Sequence, residues 1–214
     1  MLRVMISIFL SVVVFASAHA SVFKKKVELS DLAALSQRDL DTFKDVEFKI
    51  FLMKVAHARA EELEDKAKAD LRTSKLTLDA KKQRLKSLEA DLKEANAAQD
   101  TSQVDATKEA LIKARKELDR AKLLILWKEQ EIEVQVAGIR IAKLAVQLAE
   151  MERDLAWISK LKERNLEAGQ KYDLADLQKR LGKKQKAYQT DVTQKAVAIE
   201  TARKLKAAYE KASP

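Results

Sequence analysis

Apolar residues recur at a seven-residue spacing along much of the chain, as the a and d positions of a heptad. With Phe43 as an a position, the register continues without a slip to Leu92, and its d positions lead from Val46 to Ala95. A sustained heptad with charged residues between the apolar ones is typical of a coiled coil. The pattern predicts a first long helix over residues 32–95. Four polar residues weaken this seam: His57, Glu64, Ser74 and Lys81.

A second heptad begins at Val104, and every a position from there to Val146 is apolar. Helical character continues beyond it, so the pattern predicts a second long helix over residues 104–165. Residues 96–103 separate the two helices and are rich in turn-favouring side chains. Three of them have the right side chains to cap the second helix at its start: Asp100, Thr101 and Ser102.

A second reversal is predicted over residues 166–173, where Gly169 is expected to end one helix and Asp173 to cap the next. A third helix should then occupy residues 174–211. Its apolar seam is predicted to contain nine residues: Leu174, Leu177, Leu181, Tyr188, Val192, Ile199, Ala202, Leu205 and Tyr209.

Short connections between long helices favour antiparallel neighbours. The third helix is the shortest, so it should reach back only to about residue 130 of the second, with Tyr209 at that end. Residues 123–158 are apolar around much of the helix circumference, as a helix with two partners requires. We therefore predict an all-α, long antiparallel coiled coil, with a three-helix base and a two-helix arm that ends at residues 96–103. Five aromatic residues are expected in the base: Phe43, Phe48, Phe51, Trp127 and Trp157.

The first twenty residues have the pattern of a secretory signal peptide. Arg3 precedes an apolar run over residues 4–15, and Ala18-His19-Ala20 fits the small-residue cleavage rule. We predict cleavage after Ala20, which leaves residues 21–214 as a single elongated helical domain with no transmembrane segment. The expected destination is the bacterial periplasm, with secretion as the alternative.

Composition narrows the possible chemistry. The chain has no Cys, one Pro and three Gly, which argues against a turn-rich sheet protein, a disulfide scaffold, thiol catalysis and Gly-rich phosphate loops. His57 is the one histidine after Ala20, and a zinc site needs three or four ligands. We interpret His57 as a polar heptad residue and predict no enzyme activity, no cofactor and no metal site.

Lys and Arg number 42 against 33 Asp and Glu, and the excess is concentrated in residues 160–214. Such a surface suits a protein partner in the cell envelope, self-association or an anionic envelope surface. Export argues against nucleic acid as the partner. The candidate contact residues lie at the arm tip and in the basic 160–186 stretch: Asp100, Thr101, Ser102, Lys160, Lys162, Arg164, Lys171, Lys179, Arg180, Lys183 and Lys184.

The second reversal resembles the helical hairpins of TolC-type outer-membrane efflux proteins. The match consists of Arg164, then Gly169, then Asp173-Leu174, with Leu and Ala at helical spacing beyond, and it covers about residues 144–211. No strand-like alternating segment accompanies it in this sequence. The resemblance implies a docking or envelope-spanning role.

The patterns together favour an exported coiled-coil protein that acts as a scaffold, spacer or adaptor through protein contacts. Two alternatives stay open. The first is a periplasmic holdase similar in physical character to the Skp-type chaperones, which would bind unfolded envelope proteins. The second is a TolC-like component of efflux or envelope transport.

Overall fold

The computed structural model describes residues 27–212, so the predicted signal peptide lies outside the described residues. Within them the protein is all-α, with no β-strand. The helices, in chain order, are α1 (Leu29–Leu32), α2 (Gln37–Asp41), α3 (Lys44–Ala97), α4 (Thr101–Glu163), α5 (Glu167–Gln170) and α6 (Leu174–Lys211). At 1.5 Å per residue, α3, α4 and α6 are about 80, 95 and 57 Å long.

The first long helix begins at Lys44, and the predicted start at residue 32 is wrong. The chain before it forms α1 and α2, because Ser36 adopts an extended conformation and caps a new helix by accepting a hydrogen bond from the Asp39 backbone N–H. The other two long helices lie close to their predicted bounds. The second was predicted over residues 104–165 and is observed as α4 (Thr101–Glu163), and α6 has the predicted bounds of 174–211.

Burial along α3 follows the predicted heptad. From Phe43 to Ala95, every a and d position is at least partly buried, and every other position is exposed. The weak seam positions obey the same rule, since His57, Glu64 and Lys81 are half-buried. The spacing of the pattern therefore decides which side of α3 meets its neighbour, even where the residue itself is polar.

The second long helix packs against both others, whereas α3 and α6 make little direct contact with each other. Tyr209 near the end of α6 packs against Trp127 in a tilted arrangement, with ring centroids 5.7 Å apart, close to the predicted limit at residue 130. Beyond Trp127, nearly all of α4 is at least partly buried except along one narrow side, while before Lys116 mainly its heptad seam is buried. The wide apolar surface of residues 123–158 is thus matched by two partners.

The predicted seam of α6 is only partly right. Val192 and Ile199 are exposed, and the part-buried positions between Tyr188 and Ala202 are Asp191, Lys195 and Ala198. The observed positions continue a heptad through Leu177 and Tyr209. The prediction chose Val192 and Ile199 because they are apolar, but the part-buried positions are one residue earlier, at Asp191 and Ala198. The seam of α6 contains charged residues, so apolar side chains alone do not mark it.

Both reversals use the same helix-ending motif. Gln99 (φ 56°) and Asn165 (φ 53°) adopt the left-handed conformation, and the next backbone N–H donates to a carbonyl five residues back, from Asp100 to Ala95 and from Leu166 to Leu161. This is the Schellman arrangement. Gly169 does not end α4 as expected, because Asn165 takes the left-handed position.

Candidate interaction surfaces

The N-terminal segment (residues 27–43) folds over the second reversal and closes the end of the molecule. Leu161 and Ile158 of α4 are almost fully buried beneath it, and Phe43 meets Trp157 edge-on with ring centroids 6.2 Å apart. Burial of this apolar surface supplies the main attraction between the segment and the reversal. The buried members of the cluster are Val27, Leu32, Leu35, Phe43, Ile158, Leu161, Tyr172 and Leu177.

Asp39 anchors α2 to the end of α4. Its carboxylate accepts a hydrogen bond from the Arg164 guanidinium at 2.8 Å, another from the Ser36 hydroxyl, and lies 3.8 Å from Lys160 Nζ. The bonds from Arg164 and Ser36 lower the pKa of Asp39 to about 2. Asp39 is therefore charged at neutral pH and fixes the segment to the basic residues.

Asp31 makes a second anchor at the reversal. The Tyr172 hydroxyl donates to one carboxylate oxygen, and Lys171 Nζ donates to the other at 3.0 Å. These hydrogen bonds, that of Tyr172 foremost, lower the pKa of Asp31. Burial and the bond to Asp31 raise the pKa of Tyr172 to about 12, so the phenol stays protonated and remains a donor.

The contacts of Asp31 and Asp39 involve several basic residues of the 160–186 stretch. Lys160, Arg164 and Lys171 are committed to Asp39 and Asp31. In α6, Arg180 pairs with Asp176, and Lys184 donates to the Gln147 side chain. The structure therefore brings five of the eight predicted basic contact residues into contacts within the chain.

Lys162, Lys179 and Lys183 form no ion pair with another described residue, and the last two are exposed. Arg164 and Lys171 keep about half of their side chains exposed, at 52% and 48%, even though both are paired. The residues among the eight that are exposed and unpaired within the described chain, Lys179 and Lys183, both lie on α6.

At the opposite end, the tip is shorter than residues 96–103, because α3 continues to Ala97 and α4 begins at Thr101. Asp100 is the N-cap, and its carboxylate accepts a hydrogen bond from the Gln103 backbone N–H at 3.0 Å. Thr101 and Ser102 are exposed in the first turn of α4. The three predicted tip residues thus lie together, at the end of the molecule far from the N-terminal segment.

Sequence reasoning missed Asp31 and Asp39, the two acidic residues that neutralise the reversal. The sequence does contain a signal for Asp39, since Ser36 and Asp39 have the three-residue spacing of a capping box. In that motif, the side chain of each residue accepts a hydrogen bond from the backbone N–H of the other. Asp31 has no comparable local signal, because its partners are 140 residues away in sequence.

Phe48 and Phe51 lie near the start of α3, in the half where the aromatic residues were expected, but both side chains are exposed. Together with Leu52 and Val55 they form an exposed apolar stripe on α3, and the two rings stack with centroids 6.5 Å apart. Their spacing places them on the side of α3 opposite its heptad seam. We call these four residues the α3 stripe.

His57 is half-buried in the α3 seam. Its Nδ1 lies 3.8 Å from a Glu61 carboxylate oxygen, and its buried Nε2 has no hydrogen-bond partner among the described residues. No group of three or more potential metal ligands occurs within residues 27–212. Nor does any helix of that part of the chain combine the length and apolarity needed to cross a membrane.

Comparison with protein-family models, with curated proteins and with solved structures returned no match for this chain.

Proposed function

We propose that the protein is an exported, non-enzymatic coiled-coil protein that acts as a scaffold, spacer or adaptor in the cell envelope. The observation that carries the proposal is the pairing of α3 with α4 through a seam that persists from Phe43 to Ala95. Helices of about 80 and 95 Å are long for a domain of this size and give it reach. Reach is what a spacer needs.

The proposed architecture is an antiparallel coiled coil with a three-helix base and a two-helix arm. Its support comes from ion pairs between α3 and α4, in which the number of the α4 partner falls as the α3 number rises: Lys54 with Glu150, Lys75 with Glu129, and Glu89 with Arg115. The end of α6 at Trp127 leaves the rest of α4 with one partner. That half forms the arm.

Export to the bacterial periplasm, or secretion, follows from the signal-peptide pattern of residues 1–20. We expect a chain that is expressed in full in a bacterial host to accumulate in the periplasm with Ser21 as its first residue. Cell fractionation and N-terminal sequencing test this. Recovery of a cytoplasmic chain that keeps its apolar N-terminus would contradict it.

We propose that partners in the envelope meet the arm tip or the exposed lysines of α6. A photo-crosslinking residue at Ser102 tests the tip, and one at Lys183 tests α6, because both side chains are exposed. A crosslinker at Lys86, an exposed residue in the middle of the arm, is the matched control. One stoichiometric adduct at Ser102 or Lys183, absent from the control, supports an adaptor.

The holdase alternative predicts a different result, namely adducts with many unfolded proteins along the arm. A holdase needs contiguous exposed apolar surface to hold its clients. Large apolar side chains are exposed on the arm at Leu76 of α3 and at Ile112 and Leu126 of α4, and they do not form a continuous run in the sequence. Isolated residues of this kind are normal on soluble proteins, so the adaptor is the favoured proposal.

The TolC-like alternative is supported by the sequence of the second reversal, from Arg164 through Gly169 to Asp173. In this proposal the reversal itself docks against another envelope component. Crosslinking from Glu167, which is exposed there, distinguishes it from docking at the tip.

A further inference from the structure

The α3 stripe is the most apolar exposed surface on this helix. Phe48, Phe51, Leu52 and Val55 are 62%, 49%, 51% and 51% exposed. Their separations of three, four and seven residues keep them on one face, in the pattern by which a helix packs against another helix. No described element covers this face, because α4 lies on the opposite side of α3.

The stripe has the size of a weak interface. Two half-exposed Phe with a Leu and a Val offer roughly 300–400 Å² of apolar surface. A typical stable interface buries about 800 Å² on each partner. The apolar stripe alone is about half of that size, so it suits a weak, reversible helix-to-helix contact.

Two opposite charges beside the stripe, those of Asp45 and Arg59, are placed symmetrically about Leu52. Asp45 and Arg59 lie seven residues before and after Leu52, so the three residues share one line along the helix, with each charge about 10 Å from Leu52. Both charged side chains are exposed, and neither forms an ion pair with another described residue. A second α3, antiparallel and centred on Leu52, would place its Arg59 opposite Asp45 and its Asp45 opposite Arg59.

We propose that the α3 stripe binds a second copy of this chain, with the two α3 helices antiparallel about a two-fold axis at Leu52. A two-fold contact requires a self-complementary surface, and an apolar centre with opposite charges at equal distances provides one. A parallel pair would instead set Asp45 against Asp45 and Arg59 against Arg59. This geometry favours a second copy over an unrelated partner.

The dimer would point its two arms in opposite directions. The tip near residue 98 lies about 46 residues, or about 70 Å, from Leu52 along α3. At a small crossing angle the two tips would therefore be about 140 Å apart. The proposal extends the scaffold role, but it does not depend on export or on the identity of an envelope partner. A monomeric result leaves the crosslinking test of that role unaffected.

The first test measures mass against concentration. The full chain is expressed, the form that accumulates is purified, and sedimentation equilibrium is recorded over the micromolar to sub-millimolar range. We expect the average mass to rise from one chain towards two. With Phe51→Glu the average mass should stay at that of one chain. Leu76→Glu is the control, because Leu76 is 66% exposed on the same outward side of α3, and with it the mass should rise as in the original chain. A monomer at every concentration, or an equal effect of both variants, would overturn the proposal.

The second test exchanges the charges. Asp45→Arg and Arg59→Asp should each weaken dimerisation about tenfold or more, because each creates two like-charge contacts across the axis. The double variant should return it to within about threefold of the original, since both pairs are then restored in reverse. Additive weakening in the double variant would exclude the antiparallel register.

The third test uses the absence of cysteine from the chain. Leu52→Cys should give a covalent dimer with a short bis-maleimide, because the two side chains meet at the axis. Leu76→Cys should not, since the two Leu76 positions would be about 70 Å apart in the antiparallel pair. Linkage at both positions would indicate parallel helices and overturn the proposal, as would no linkage at Leu52.

Discussion

Gly169 provides the most discriminating stability prediction, because the structure leaves no room for a side chain there. A Cβ atom added at Gly169 would lie 2.9 Å from the Leu161 carbonyl carbon and 2.9 Å from the Lys162 nitrogen. Both are backbone atoms of the last turn of α4. That turn is held by the fully buried Leu161 side chain and by the hydrogen bond from the Leu166 N–H to the Leu161 carbonyl.

We expect Gly169→Ala to destabilise the protein by about 1–2 kcal/mol. Overpacking of this kind costs about 1–3 kcal/mol. The better helix propensity of alanine returns up to about 1 kcal/mol of that in α5. The matched control is Gly182→Ala, because Gly182 lies within α6, more than two turns from its start, and a Cβ there would meet nothing within 4 Å. Gly182→Ala should raise the free energy of unfolding by up to about 1 kcal/mol, because alanine has the better helix propensity.

The assay is urea unfolding followed by far-ultraviolet circular dichroism, in which the midpoint and slope give the free energy of unfolding. The two alanine variants should shift the midpoint in opposite directions with an unchanged slope. If Gly169→Ala is as stabilising as Gly182→Ala, the close approach of α5 to α4 is refuted.

Three further substitutions test other parts of the structure. Asp39→Asn should lower the free energy of unfolding at neutral pH. The difference in free energy between the variant and the original chain should shrink as the pH falls from about 4 towards 2, because the pKa of Asp39 in the folded protein, about 2, lies below the reference value of 3.8. Urea titrations at several pH values measure this difference. Gln99→Gly should raise the free energy of unfolding by up to about 1 kcal/mol, since glycine adopts a positive φ without strain. Asp173→Ala should cost about 1 kcal/mol in the same assay, because the carboxylate caps two backbone N–H groups of α6.

The long helices could be predicted from the sequence because their signal is repetitive. Each heptad indicates the same buried side of α3, so the polar residues His57 and Lys81 at seam positions did not change the predicted register. Asp173 was also predictable as a cap, since a capping side chain acts within three residues of its own position.

The end of the molecule that contains the N-terminal segment was harder to predict, because its contacts join distant parts of the chain. Asp31 and Asp39 meet Lys171 and Arg164 across more than 120 residues. A pattern along one helix holds no information about such a contact. The acidic partners of the basic stretch were missed for this reason, since they lie in the N-terminal segment.

The role of Gly169 was misassigned for a related reason. Glycine near a helix end usually supplies a left-handed residue, but Asn165 does so here, and Gly169 is required instead by the approach of two backbones. The exposure of Phe48 and Phe51 was not predicted, because the aromatic residues were grouped by their position along the chain and not by their side of the helix. Their heptad positions put Phe48 and Phe51 on the outer face.

The most direct test of the proposed architecture is electron–electron distance measurement between spin labels on α3 and α4, with labelled chains diluted in unlabelled ones. One pair replaces Lys54 and Glu150 near the base, and the other replaces Glu89 and Arg115 towards the tip. Antiparallel packing along the whole length predicts narrow distances below about 25 Å for both pairs, given helix axes about 8–10 Å apart. A short base distance with a broad, long distance towards the tip would contradict a continuous two-helix arm.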